Sequence, residues 1–67
     1  MKLSTKLIHE SNELQYKILK LNQFMETDAF HNLREFQKLQ LYSQVQTMLE
    51  YFKALNKRIE DALLYDE

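Results

Sequence analysis

Not one glycine or proline occurs in the 67 residues of this chain, and that absence restricts its fold more than any residue it contains. Glycine supplies the left-handed backbone of tight turns and helix ends, and proline the fixed φ that opens turns and stops helices. A multi-stranded fold, which needs a hairpin between each pair of strands, is hard to build without them. A few long elements, joined by a connection that other residues can make, are what remain.

Periodicity says which elements these are. Leu41, Val45, Met48, Phe52, Leu55, Ile59 and Ala62 recur at alternating four- and three-residue steps, which draws an a/d stripe down one face of a helix. The spacing predicts a helix from about 34 to 64, with Phe52 at the centre of its seam. Leu7, Ser11, Leu14, Ile18, Leu21 and Met25 repeat the pattern and predict a helix over about 5 to 25, with Ser4 or Thr5 as its expected N-cap. The two stripes do not share a register. Met25 and Leu41 are sixteen residues apart, where a seven-residue repeat needs fourteen. One uninterrupted helix is therefore disfavoured, and the segment of about 26 to 33 reads as a turn: Thr27, Asp28 and Asn32 are cap and turn formers, with Asn32 able to take a left-handed backbone or to cap the second helix. Phe30 and Leu33, three apart, can plug the closed end with a short helical turn. The expected fold is all-α, a single antiparallel two-helix hairpin over residues 1–67.

Ile8, Leu19 and Phe24 flank the first stripe and Tyr42, Leu49 and Leu63 the second, so the apolar face is wider than one partner helix needs. Ordering a chain this short costs on the order of 100 kcal/mol of conformational entropy, and small domains bury a smaller share of their surface than large ones. There is no cysteine to staple it. Self-association into a helical-bundle oligomer is the expected supplement, with the amides Gln37, Gln40 and Gln44 either facing water or setting register across it.

Hydrophobic residues make up 45% and charged residues 28%, too apolar for disorder and too interrupted for a membrane span. A formal net charge of −1 with both signs interspersed lacks the basic stripe of a nucleic-acid binder. His9 and Glu10 interrupt the N-terminal Met1–Ile8 run before a signal-peptide core can form, which makes the cytoplasm the default location. His9 and Glu13, four apart, share a helix face at a spacing that can place two metal ligands side by side, yet nothing completes a site and the Glu-x-x-His motif of carboxylate-bridged bundles does not occur; no metal or cofactor is expected. His31 falls in the turn, where exposure is the ordinary fate. Phosphate-cradling glycine loops are excluded, and two helices do not easily enclose a poised nucleophile. The expectation is binding, not catalysis.

Tyrosine joins an apolar ring to a polar tip and is enriched at interfaces with arginine. Tyr51 and Arg58, seven apart, lie on one helix face and can meet one partner surface; Tyr42 and Gln44 lie nearby, and these four are the expected partner-binding residues. The bland alternative packs Tyr51 on the first helix and pairs Arg58 with Glu60 or Asp61.

Phe30-x-x-Leu33, Leu41-x-x-Gln44 and Met48-x-x-Tyr51-x-x-x-Leu55-x-x-Arg58-Ile59 together resemble a group of very short bacteriophage-encoded helical-hairpin proteins. In that group a phenylalanine-rich turn precedes a helix with glutamine, methionine, tyrosine, leucine and Arg-Ile at such intervals. Glu13-Leu14, Ile18, Leu21 and Phe24 extend the likeness, which covers about Leu7 to Ile59. Arg34 stands where the group tends to carry a serine or aspartate cap, and Gln40 where it tends to carry leucine. The resemblance implies a phage accessory protein acting in the host cytoplasm. Its expected role is to block a host protein, such as a defence factor, through an exposed helix face. Two-helix phage proteins of similar architecture assemble into sponges that sequester cyclic nucleotide immune signals, which is the alternative; a structural coiled-coil module is a third.

Overall fold

The computed structural model describes residues 2–65. Its fold is an all-α antiparallel hairpin, 48 Å long and 15 by 13 Å across. Helix α1 spans Leu3–Met25, a single helical turn α2 spans Asp28–His31, and α3 spans Glu35–Tyr65. The 31 residues of α3 rise about 46 Å at 1.5 Å each, so this one helix sets the length of the molecule.

Both stripes face the seam. Leu7, Ser11 and Ile18 of α1 are buried, as are Val45, Leu55 and Ala62 of α3, while Leu14, Leu21, Met25, Leu41, Met48 and Ile59 are half-buried beside them. Leu7, Leu55 and Ala62 form the central cluster, with Leu14 and Ile59 packed on it. Phe52 does not hold the centre: it is only half-buried, and the large side chains that lose all solvent are Leu55 and Phe30. With just two helices the seam is one layer deep, and a long ring on it reaches the edge.

The N-terminus of α1 departs from expectation. Neither Ser4 nor Thr5 caps it; the helix starts at Leu3 behind an extended Lys2, which supplies no side-chain cap and whose carbonyl accepts from Lys6 N–H at 3.2 Å. Ser4 is instead a seam residue, 3% exposed. Ser4 and Ser11 continue the four-and-three spacing of the stripe, and their small size lets α3 come close where Ala62 packs. The Ser11 hydroxyl donates to Asn56 Oδ1 at 3.3 Å, so the seam serine has a partner.

Thr27 makes the reversal. Its extended backbone (φ −89°, ψ 160°) breaks the helix, its Oγ1 accepts from Phe30 N–H at 3.2 Å, and its hydroxyl donates to the Phe24 carbonyl at 2.6 Å. One residue thus satisfies an orphan carbonyl of α1 and caps α2. Asn32 neither takes a left-handed conformation nor caps the second helix: at φ −85° it is the C-cap of α2, and the carbonyl of Arg34 takes the first bond of α3, from Lys38 N–H at 3.1 Å. No described residue has a positive φ. Two turns of helix separated by extended Thr27 reverse the chain with every φ negative, which is how it manages without glycine.

Phe30, 1% exposed, closes this end. Phe24, His31 and Tyr42 meet its ring edge-on, with centroids 6.1, 5.6 and 5.6 Å away.

Candidate functional site

Pairing two heptad stripes antiparallel leaves two flanks along the seam, each made by the positions next to a and d. One flank carries Glu10, Lys17 and Phe24 from α1 and Gln44, Tyr51 and Arg58 from α3, seven apart on each helix. The hydrogen bond donated by the Tyr51 phenol to the Glu10 carboxylate crosses the seam on this flank. The other flank carries Ile8, Gln15 and Asn22 from α1 and Tyr42, Leu49, Asn56 and Leu63 from α3.

Toward the closed end the first flank deepens into a groove of about 400 Å³ lined by Tyr16, Lys17, Lys20, Leu21, Phe24, Gln44 and Met48. Leu21 and Met48 are half-buried seam residues and form its floor. Tyr16 and Phe24, 59% and 37% exposed, offer aromatic faces along one side. The Lys20 ammonium lies 5.3 Å from the centre of the Tyr16 ring, close enough for a cation–π contact that aims the charge across the groove. Neither Lys17 nor Lys20 has an ion-pair partner among the described residues. The Gln44 amide adds one acceptor and two donors. An apolar floor, two aromatic rings, two unneutralised ammonium groups and an amide suit a ligand with a flat ring system and negative charge. A larger hollow of about 550 Å³ on the opposite flank, lined by Asn12, Gln15, Tyr16, Ile18, Leu19 and Asn22, holds no charged group, so it is the two lysines and not the volume that mark the groove.

Of the four residues expected from sequence, Gln44, Tyr51 and Arg58 share this flank, and only Gln44 enters the groove. Tyr42 is on the opposite flank, half-exposed with its ring against Phe30. Arg58 is exposed, pairs with neither Glu60 nor Asp61, and lines a separate hollow of about 340 Å³ at the open end with Leu3, Leu7, Lys57 and Asp61. Lys17 and Lys20 escaped notice in the sequence; Phe24 stood out there only as a flank of the first stripe and a member of the family pattern, and Tyr16 was not among the expected partner-binding residues. The signal that could have found them is the seven-residue row of Lys17 and Phe24, which meets the row of Gln44 only once the helices are paired antiparallel. His9 and Glu13 are both exposed, and no cluster of three metal-ligating side chains occurs among the described residues. None of the described helices is long and apolar enough to cross a membrane.

Tyr51 is tied down between groove and hollow. Its phenol is held above its ordinary value near 10, first by the hydrogen bond to Glu10, then by partial desolvation and the Glu10 charge, with the Arg58 charge opposing. An acid whose folded pKa exceeds its unfolded one stabilises the fold below the unfolded value and loses that contribution as pH rises through the folded value. The parent should therefore melt slightly above Tyr51→Phe at pH 7, and its melting temperature should fall more steeply above pH 10, so that the two converge. Parallel curves would show that the contact does not persist in solution.

These features define a class: a small helical hairpin with an open cationic and aromatic groove between its two long helices. A model of the Sequestin family, described as Sequestin, matches residues 2–61, which span α1, the turn and all but the last turn of α3, and the chain belongs to that family. No curated protein and no solved structure matches it.

Proposed function

We propose that this protein is a non-enzymatic sponge, an oligomer of hairpins that sequesters a cyclic nucleotide immune signal in the groove between α1 and α3. The observation that carries this reading is the convergence of Lys17, Lys20, Tyr16 and Phe24 on one apolar-floored groove. Ammonium groups meet phosphates as point charges, and aromatic rings stack on bases of any identity. The family name, Sequestin, is in keeping with a role in sequestering. Capture needs no bond-making: charge, stacking surface and an amide are all that the lining has to supply. The resemblance to short phage proteins gives such capture a purpose: titrating a host alarm signal in the infected cytoplasm.

The test is a thermal-shift and equilibrium-dialysis screen of the purified protein against cyclic dinucleotides and linear mononucleotides. At a ligand concentration of about 100 Kd, linkage adds about 2.7 kcal/mol, which raises the melting temperature of a domain this size by roughly 10 °C or more. The ligand released on denaturation should be chemically unchanged by mass spectrometry. Absence of any shift or retention across the panel rejects the nucleotide, and conversion of the ligand rejects the sponge.

Blocking of a host protein is the second reading, favoured by the alignment of exposed Tyr51 and unpaired Arg58 on that same flank. It requires binding that depends on these two residues.

A further inference from the structure

We infer that Tyr51 and Glu10 are positioning residues: their hydrogen bond is a clasp that fixes the separation of α1 and α3 at the inner end of the groove, and with it the affinity for whatever the groove holds. The inference rests on the sponge reading for the ligand, and on the geometry of the helix pair for the clasp.

The clasp lies on the groove's own flank and in register with its walls. Glu10 stands seven residues before Lys17 on α1, and Tyr51 seven residues after Gln44 on α3. In an antiparallel pair these two steps run the same way along the molecule. The Glu10–Tyr51 contact is therefore two turns, or about 10 Å, from the level of Lys17 and Gln44, and neither residue lines the groove itself. The Ser11 hydroxyl, on the residue next to Glu10, donates to Asn56 Oδ1 at 3.3 Å, so polar contacts pin the helix pair on both sides at this level. The acceptor of the Tyr51 phenol is a carboxylate, and a charged acceptor strengthens a hydrogen bond. That suits a contact at a residue 43% exposed.

Beyond the clasp the walls are tied only lightly. Among the described residues no hydrogen bond joins Tyr16, Lys17 or Lys20 to Gln44 or Met48. The buried cluster that grips the helices, Leu7, Leu55 and Ala62 with Leu14 and Ile59, lies toward the open end. Along the groove only Ile18 and Val45 are buried, beside half-buried Leu21, Met25, Leu41 and Met48. Firm packing returns at Phe30, 1% exposed, at the closed end. Lys17 and Lys20 come from α1, Gln44 and Met48 from α3, so a ligand that touches all four spans the pair. Walls already held at the right distance spare the ligand the cost of drawing them together, and small errors in such a distance weaken a site.

Affinity and helix separation are measured on the same variants. The chain has no cysteine, so spin labels attach only where one is introduced. Glu13→Cys and Thr47→Cys, both exposed and outside the groove lining, put one label on each helix, and dilution into unlabelled protein confines the distances to one chain. Tyr51→Phe removes the donor and Glu10→Ala the acceptor. Each should broaden the distance distribution and weaken retention of cyclic dinucleotides about fivefold. Glu10→Gln leaves an oxygen to which the phenol can donate and should restore both. The double variant Tyr51→Phe/Glu10→Ala should bind no more weakly than either single one. Distances unchanged by Tyr51→Phe overturn the inference. So does weakening by Tyr51→Phe with Glu10→Ala at parent affinity, which would mean that the phenol touches the ligand. Stronger binding by both Glu10 variants overturns it as well, because Glu10 would then act through its charge. Should the distances respond as expected while the parent retains no cyclic dinucleotide, the clasp stands and the sponge falls.

Discussion

Phe30→Ala is expected to remove about 3–5 kcal/mol of stability, a large part of the total for a domain of this size. The ring is 1% exposed, so its replacement forfeits the full transfer energy and leaves a cavity among Phe24, His31 and Tyr42. Edge-on ring pairs are worth about 0.5–1.5 kcal/mol each beyond burial. Three are lost together, and the cavity lies beside the turn, where little chain is available to collapse into it. A second consequence comes from geometry. The hydrogen bonds of Thr27 to Phe30 N–H and to the Phe24 carbonyl hold the reversal only while Phe30 anchors it from inside. With the anchor gone, α1 and α3 can exchange partners between chains as a swapped dimer of opened hairpins. The variant should thus melt well below the parent and show a concentration-dependent transition. A melting temperature within a few degrees of the parent would mean that the closed end is not sealed by this ring. Leu55→Ala, at the other large side chain that is fully buried, should cost about 2–5 kcal/mol without promoting exchange.

The two seams were legible because an a/d stripe is a property of single residues and their spacing. The sixteen-residue offset between Met25 and Leu41 was legible for the same reason, and it marks the turn. Ser4 shows where such reading ends. A serine three residues before the first apolar position has the composition of an N-cap, yet it sits inside the helix and on the seam, where its small size matters more than its hydroxyl. Asn32 likewise has the chemistry of a left-handed residue, and the turn does not use it, because Thr27 supplies the break through an extended conformation that any residue can adopt. Phe52 was misplaced because periodicity gives the face but not the depth, and depth depends on how many helices cover that face. The groove was the least legible part. Lys17 and Lys20 look like ordinary members of a solvated face, and they gain meaning only opposite Gln44 and Met48, more than twenty residues further along. Which α1 positions face which α3 positions is fixed by the length and path of the turn, and no local pattern in either helix records it.

Lys17→Glu/Lys20→Glu should abolish capture of an anionic ligand while leaving the fold intact. A hydrogen bond to a charged group contributes about 1.5–3 kcal/mol, so losing two from a phosphate corresponds to a weakening of at least about 100-fold, and the introduced carboxylates add repulsion to it. Both side chains project from the exposed surface of α1, where substitutions usually shift stability by no more than about 0.5 kcal/mol. Melting in the absence of ligand should therefore barely change. Tyr16→Ala tests the stacking half of the site separately. Base–aromatic stacking is worth about 1–3 kcal/mol, and the loss should be nearly independent of salt, whereas binding by the lysines weakens as ionic strength screens them. Arg58→Ala is the decisive comparison, because Arg58 shares the flank but lines the hollow at the open end. If the groove is the site, Arg58→Ala binds the cyclic nucleotide like the parent. If Arg58→Ala loses a host-protein partner while the double lysine variant keeps it, the function lies at the open end, and capture in the groove is wrong.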